Sequence, residues 1–94
     1  MPLTRTLFPL GRLLATPGAL EALSEAKQGA DVFIRKHQEG EWGDLSLEDK
    51  AANTLALVTG ERILSKYQTG KGVKLWIITE ADRSATTLLL PDEY

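Results

Sequence analysis

One side chain in the sequence is suited to acid–base chemistry near neutral pH. His37 is the single histidine among the 94 residues, and imidazole is the side chain whose ordinary pKa lies closest to neutrality. A group with that pKa can accept a proton as a general base and then return it as a general acid. A lone histidine near the end of a helix is more often a solvated or capping residue, and that interpretation stays open.

A second set of polar residues lies in the C-terminal third and has the types that bind phosphate. Ser65 and Tyr67 are two positions apart, so on a strand they share one face. Arg83 is a permanent cation that can hold a phosphate through two hydrogen bonds. Hydroxyl groups follow it at Ser84, Thr86 and Thr87. The alternative is structural, because exposed strands are often rich in Ser and Thr, and Asp82 can pair with Arg83 in a turn.

These residues fit the cleavage of a phosphodiester without a metal or another cofactor. His37 would exchange a proton with the attacking 2′-hydroxyl or the leaving 5′-oxygen. Arg83 and a neighbouring hydroxyl would stabilise charge on the phosphorane. Trp42 or Tyr67 would stack on a base, although for Trp42 the favoured interpretation is a side chain that fills a gap between helix and sheet. The predicted catalytic residues are His37, Tyr67, Arg83 and Thr86, and the predicted substrate-binding residues are Trp42, Ser65, Ser84 and Thr87.

Three helices are predicted in the N-terminal part of the chain to carry His37 and support the later strands. Thr16 followed by Pro17 is typical of a helix start, and Gly29 of its end. A second helix is predicted from about residue 30 to Gly40. Residues 46–49, Ser-Leu-Glu-Asp, have the form of a capping box that opens a third helix. The apolar stripe of this helix consists of Ala52, Leu55, Ala56 and Val58, and Gly60 closes it.

The hydrophobic period changes to that of a strand at about Arg62. Alternation predicts strands over residues 62–69, 73–79 and 84–90, the last ended by Pro91, and residues 11–15 are a candidate short strand. Short loops make consecutive strands antiparallel neighbours. The predicted fold class is therefore α+β, with N-terminal helices packed on a three- to four-stranded antiparallel β-meander. We expect one domain over residues 11–94, preceded by an irregular arm over residues 1–10.

Composition excludes several kinds of protein. The chain has no cysteine, which excludes disulfides and thiolate metal sites. No metal ligand is predicted, because helix capping explains Asp44, Glu48 and Asp49. No apolar run approaches the ~18–20 residues of a membrane-spanning helix, and no secretion signal follows Met1. The expected location is therefore cytoplasmic, with no membrane partner.

Charge is distributed unevenly along the chain. The net charge of −2 gives no overall footprint for nucleic acid. Residues 60–90 nevertheless carry five Lys or Arg against three Asp or Glu, whereas residues 1–59 carry six against eight. The predicted β half is therefore the basic half by about two charges, and the tail adds the acids Asp92 and Glu93.

The sequence resembles a family of short bacterial proteins found around plasmids, phages and integrated elements. The similar positions run from residue 11 to residue 94 and include Lys36-His37, Gly40-x-Trp42-Gly43, Glu48-Asp49, Asn53, Ala56-Leu57, Gly60-x-Arg62, Ser65-x-Tyr67, Trp76 to Ser84, Thr86-Thr87, Pro91 and Glu93-Tyr94. Members carry labels such as plasmid-related protein or type I restriction subunit. The resemblance implies an accessory protein of mobile genetic elements and brings no activity with it, so we expect a binding or interaction module.

A more distant resemblance is to the barnase–EndoU–colicin–RelE-like nucleases, and in particular to their phage-associated branch. Its basis is the order of a helix-borne His37, Ser65-x-Tyr67 on a strand, and then Arg83 with Thr86-Thr87. It implies the alternative function, a small metal-independent endoribonuclease that resembles a toxin. The expected partner is accordingly RNA or another protein. A homodimer through an edge strand or the C-terminal strand is compatible with either function.

Overall fold

The computed structural model describes residues 6–94, in which three α-helices accompany one four-stranded sheet. In chain order the elements are β1 (Arg12–Ala15), α1 (Pro17–Ala26), α2 (Ala30–Gln38), α3 (Leu47–Thr59), β2 (Ile63–Gln68), β3 (Lys74–Thr79) and β4 (Ala85–Leu89), followed by a single 3₁₀ turn (Pro91–Glu93). The predicted α+β class is confirmed. Within residues 6–94, every helix is too short or too polar to span a membrane.

The sheet has the strand order β1-β4-β3-β2 and is mixed. β2 pairs antiparallel with β3, and β3 pairs antiparallel with β4. β1 pairs parallel with β4, with Leu13 opposite Thr86, so the prediction of a wholly antiparallel sheet is wrong for β1. The physical reason is that a short loop fixes the direction only of strands adjacent in sequence, whereas three helices and two strands separate β1 from β4.

One face of the sheet is buried against α1 and α2, and we call it the inner face. Ala19 and Leu23 of α1 and Phe33 of α2 share a hydrophobic cluster with the inner-face row of the sheet. That row contains Tyr67, Leu75, Ile77 and Leu88, all buried. Side chains that alternate with this row, such as Lys66 and Trp76, lie on the opposite side, the outer face.

A second hydrophobic cluster lies where the N-terminal segment meets α3 and β2. Its buried members are Phe8, Trp42, Leu45, Ala56 and Ile63. Residues 6–10 have no helix or strand, but Phe8 is part of this core, and Leu7 N donates a hydrogen bond to Gln38 O at 2.9 Å. The segment is therefore packed on the domain. The first five residues of the predicted arm lie outside the described residues.

Side-chain caps set the starts of α1 and α3 where the sequence predicts them. Thr16 Oγ1 accepts a hydrogen bond from Ala19 N, and Ser46 Oγ accepts one from Asp49 N, both at 3.1 Å. α1 ends earlier than expected, because Lys27 adopts the left-handed conformation at φ 55° and closes it. The predicted stop, Gly29, is instead the N-cap of α2.

The free edge of β2 is covered by other parts of the chain. Residues 42–44 form a short parallel bridge to Lys66 through two hydrogen bonds of 3.1 and 2.7 Å. Gly43 permits this approach, since a Cβ there would collide with the Lys66 carbonyl oxygen. The Asn53 amide of α3 adds two bonds, donating to Leu64 O at 2.7 Å and accepting from Leu64 N at 3.2 Å. This cover protects the edge from pairing with another chain.

Candidate functional site

His37 lies near the end of α2, and its imidazole is buried against the inner face of the sheet. The side chain has no solvent exposure. Nδ1 lies 2.5 Å from the Ser65 hydroxyl of β2, and Nε2 lies 2.9 Å from the Thr79 hydroxyl of β3. The Phe8 ring packs edge-on against the imidazole, with 5.2 Å between centroids. Two strands and the N-terminal segment thus hold the ring in place.

A chain of hydroxyl groups continues from His37 across the sheet, and we call the whole the His37 network. Thr79 Oγ1 lies 2.7 Å from Thr86 Oγ1 of β4, and the Thr86 hydroxyl donates to Leu10 O at 2.7 Å. Each hydroxyl has one proton, so Thr79 donates to Thr86, and His37 donates its Nε2 proton to Thr79. Nδ1 of the neutral ring then accepts the proton of Ser65. A single tautomer of the neutral ring therefore has both of its nitrogens hydrogen-bonded, Nε2 as donor and Nδ1 as acceptor.

Burial makes His37 a weak base. Desolvation lowers its pKa from 6.5 to about 4, so the ring is neutral at pH 7. A general acid or base works best with a pKa near the operating pH and must reach the substrate. His37 meets neither condition in this arrangement. Its geometry is that of a fully satisfied buried polar network, which fixes the relative positions of α2, β2, β3 and β4.

Ser65 and Tyr67 share one face of β2, as predicted, but it is the buried inner face. The Tyr67 hydroxyl donates to Glu41 O at 2.6 Å, and burial is the main cause that raises the pKa of Tyr67 to about 12. The ring of Phe33 packs against the Tyr67 ring at a centroid distance of 5.5 Å. Tyr67 therefore ties the loop after α2 to the sheet, and its ring is taken up by the core.

Arg83 binds backbone carbonyl groups at the corner between β3 and β4. Its Nη1 donates to Glu61 O at 2.7 Å and to Glu80 O at 3.2 Å, and its Nη2 donates to Ala56 O at 3.0 Å. The guanidinium also lies 5.7 Å from the centroid of the Phe8 ring. Arg83 itself has φ 61° in the left-handed region. Both Nη1 protons and one Nη2 proton are occupied by the end of α3 and the turn, so a phosphate that bound through Nη1 would have to replace these bonds.

The remaining predicted site residues do not join the His37 network. Trp42 is a core side chain of the second cluster, and its Nε1 has no hydrogen-bond partner among the described residues. Ser84 is exposed, and its backbone nitrogen donates to Asp82 Oδ1 at 3.0 Å. Thr87 lies opposite Ile78 on the outer face, on the side of the sheet away from Thr86. The structure thus unites only His37, Ser65 and Thr86.

Sequence reasoning missed Thr79, which is the centre of the network. Thr79 is the last residue of the inner-face row Leu75, Ile77, Thr79 and is fully buried. It pairs with Thr86 across the β3–β4 register. The available signal was a lone polar residue at the end of an apolar alternating row, which indicates a buried hydroxyl with a partner.

The outer face carries an open cleft with basic and aromatic walls. Its volume is about 370 Å³, and its lining residues are Asp44, Lys66, Tyr67, Gln68, Lys74, Trp76 and Pro91. Lys66 Nζ lies 4.8 Å from the centroid of the Trp76 ring. The Tyr94 ring lies 5.8 Å from the Trp76 ring, and the Arg62 guanidinium lies 5.6 Å from the Tyr94 ring. We call this arrangement the outer-face cleft.

α3 presents an apolar stripe to the solvent. Leu47, Leu55 and Val58 are exposed by 84%, 61% and 85%. With the exposed Ala51 they occupy positions i, i+4, i+8 and i+11, which fall on one side of a helix. We call these four residues the α3 stripe. The sequence-based stripe of α3 included Leu55 and Val58, yet the residues that α3 buries are Asn53 and Ala56.

No group of three or more His, Cys, Asp or Glu side chains placed to hold a metal occurs within residues 6–94.

The chain was also compared with known proteins. No protein-family model matches it, and neither a curated protein nor a solved structure gives a significant match.

Proposed function

We propose that the protein is an accessory protein of mobile genetic elements that acts as a binding module for a protein partner. The observation that supports a partner is the exposure of the α3 stripe, with Leu47 at 84% and Val58 at 85%. Single exposed apolar residues are normal, whereas a contiguous row of them on one helix is typical of an interaction surface. The mobile-element context rests on the sequence resemblance.

The spacing of the α3 stripe favours a groove or a second helix as the complementary surface. Anchors at i, i+4, i+8 and i+11 are those of a helix that lays one face into an apolar groove. Covering a Leu or Val side chain contributes roughly 1.5–3 kcal/mol. Three such anchors supply roughly 4.5–9 kcal/mol before the cost of association is subtracted, so a micromolar affinity of about 8 kcal/mol needs further contacts around them.

The alternative, a metal-independent endoribonuclease, has weaker support. It assigns acid–base catalysis to His37 and phosphate stabilisation to Arg83. His37 is fully buried with both nitrogens hydrogen-bonded, and Arg83 donates to four carbonyl groups. These contacts favour the binding module over the enzyme.

The proposal is tested by capturing the partner with matched variants. The tagged protein is expressed in a bacterium that carries the related mobile element, and co-purified proteins are identified by mass spectrometry. The double substitution Leu55→Glu and Val58→Glu is expected to lose a partner that the wild type retains. Val32→Glu, at an exposed apolar position of α2, is the control and should retain it.

The captured protein is then purified and titrated against each variant by calorimetry. We expect the double substitution to weaken binding at least about tenfold, since one buried Leu accounts for roughly a factor of ten. Equal affinity of the stripe variant and the wild type would contradict the proposal, as would a wild type that captures no specific protein.

A further inference from the structure

The outer-face cleft concentrates positive charge on a chain that is acidic overall. Two of its lining residues are the lysines Lys66 and Lys74, against the single acid Asp44. Arg62 adds a further cation beside Tyr94. The whole chain has a net charge of −2, so the excess of lysine over acid among the lining residues is local to this cleft. Such a local excess attracts an anionic ligand even when the net charge is negative.

Each aromatic ring of this face has a cation beside it. Lys66 lies over Trp76, and Arg62 lies over Tyr94 and also donates to the Tyr94 hydroxyl at 2.5 Å. The two rings are 5.8 Å apart, and Tyr94 is 65% exposed. A ligand with planar rings that alternate with negative charges would match this pattern. A nucleotide chain is such a ligand, because each base is followed by a phosphate.

The shape of the face selects a single strand over a duplex. Aromatic side chains can stack only on bases that are splayed out of a helix. The cleft of about 370 Å³ is bordered by side chains of β2 and β3 and by Pro91, so the bases would lie across the sheet. Sheet surfaces that combine aromatic rings and basic side chains bind single strands in this manner.

We infer that the outer-face cleft binds single-stranded nucleic acid, with bases stacked on Trp76 and Tyr94 and phosphates bound by Arg62, Lys66 and Lys74. This site lies on the side of the sheet opposite the His37 network. A ligand bound there would not contact His37, the predicted catalytic histidine. It shares no residue with the α3 stripe and does not depend on the protein partner proposed above.

The inference is tested by fluorescence anisotropy with a labelled ten-nucleotide RNA, the DNA of the same sequence, and a hairpin duplex. We expect both single strands to bind better than the duplex, and the RNA and DNA arms show which sugar is preferred. Trp76→Ala and Tyr94→Ala should each weaken binding about 5- to 100-fold, as loss of one stacked base does. Tyr94 is exposed, so its variant keeps the test valid if Trp76→Ala impairs folding.

A pair of double variants separates the cleft from general electrostatics. Lys66→Gln with Lys74→Gln removes two charges from the cleft, and Lys36→Gln with Lys50→Gln removes two from exposed positions of α2 and α3. Only the first pair should reduce affinity. With three cations on phosphates, raising the salt from 50 to 200 mM should weaken binding about 20-fold.

The following results would overturn the inference. They are equal losses in the two double variants, duplex binding as tight as single-strand binding, and equal affinity for an aspartate-rich peptide. Absence of binding by the folded wild type at 50 mM salt would overturn it as well.

Discussion

His37 joins parts of the chain that are far apart in sequence. Its two ring nitrogens reach Ser65 and Thr79, and the hydroxyl chain extends through Thr86 to Leu10 O in the N-terminal segment. A buried network of this kind is stabilising only while every member is satisfied. The side chain best suited to acid–base chemistry in this sequence therefore serves to stabilise the fold.

Replacing His37 is expected to destabilise the fold. In His37→Leu the Ser65 hydroxyl loses its buried partner, and Thr79 loses the donor that points at it. Leaving a buried hydroxyl unsatisfied costs about 1–3 kcal/mol, and the altered packing adds to this. We expect a loss of about 2–4 kcal/mol in the free energy of unfolding, measured in urea at pH 7. Lys36→Leu, at the exposed neighbouring position, should change it by less than about 0.5 kcal/mol.

His37 also predicts how stability depends on pH. Its pKa is lowered from 6.5 to about 4 in the folded protein, so between these values the unfolded chain binds the proton and the folded chain does not. The stabilisation is present in full above pH 6.5 and falls as the pH drops towards 4. Between pH 7 and 5 the free energy of unfolding should decrease by about 2 kcal/mol from this group alone.

Urea titrations at pH 7, 6 and 5 measure this decrease. His37 is the only histidine in the chain, so His37→Leu should abolish most of the slope over that range. A slope that is the same in the variant would show that other groups cause it.

Asn53 is the residue by which α3 attaches to the sheet. Its amide bonds both backbone groups of Leu64, in the manner of a neighbouring strand. Only Asn53 and Ala56 of α3 are buried, and the α3 stripe faces away. The helix therefore contacts β2 through Asn53 and Ala56, with Leu57 packed on the second cluster, and leaves Leu47, Leu55 and Val58 exposed.

Asn53→Ala is expected to loosen this attachment. Leu64 N and O would lose their partners at the edge of β2, at a cost of about 1–3 kcal/mol. The Leu64 amide should then exchange with solvent faster, as measured by hydrogen exchange. Thr54→Ala, which removes only a bond to Lys50 O within α3, should leave that exchange rate unchanged. Unaltered exchange in Asn53→Ala would contradict the role given to the amide.

The positions of most helices and strands could be predicted from local signals. Thr16-Pro17 and the Ser46 capping box start α1 and α3 as expected, because caps act within one turn. Alternation places β2, β3 and β4 to within about two residues. The solvent exposure of the α3 stripe could not be predicted, because periodicity shows that a helix has an apolar side but does not show what covers that side.

The predicted catalytic site depended on which face of β2 is exposed to solvent. The sequence places Ser65 and Tyr67 on one face but does not say which face is buried. Two polar side chains alternating with Leu64 and Lys66 suggest an accessible row, whereas the structure buries them on the inner face. A buried serine becomes favourable only through His37, which is 28 positions away in sequence. Such long-range pairing is invisible to periodicity.

At the scale of the whole molecule, the polar side chains of the predicted site form hydrogen bonds within the fold, and two other surfaces are exposed to solvent. The His37 network and Arg83 serve the fold, while the α3 stripe and the outer-face cleft lie at different places on the surface. The same arrangement predicts that the purified protein leaves RNA intact, because the imidazole of His37 has no solvent exposure and both of its nitrogens are hydrogen-bonded.

A fluorogenic RNA cleavage assay in the presence of chelator compares the wild type with His37→Leu and Arg83→Lys, after circular dichroism has shown which variants are folded. The account predicts that the wild type cleaves no faster than a mock preparation purified in the same way. Metal-independent cleavage by the wild type that a folded His37 or Arg83 variant loses would contradict it and establish the enzyme.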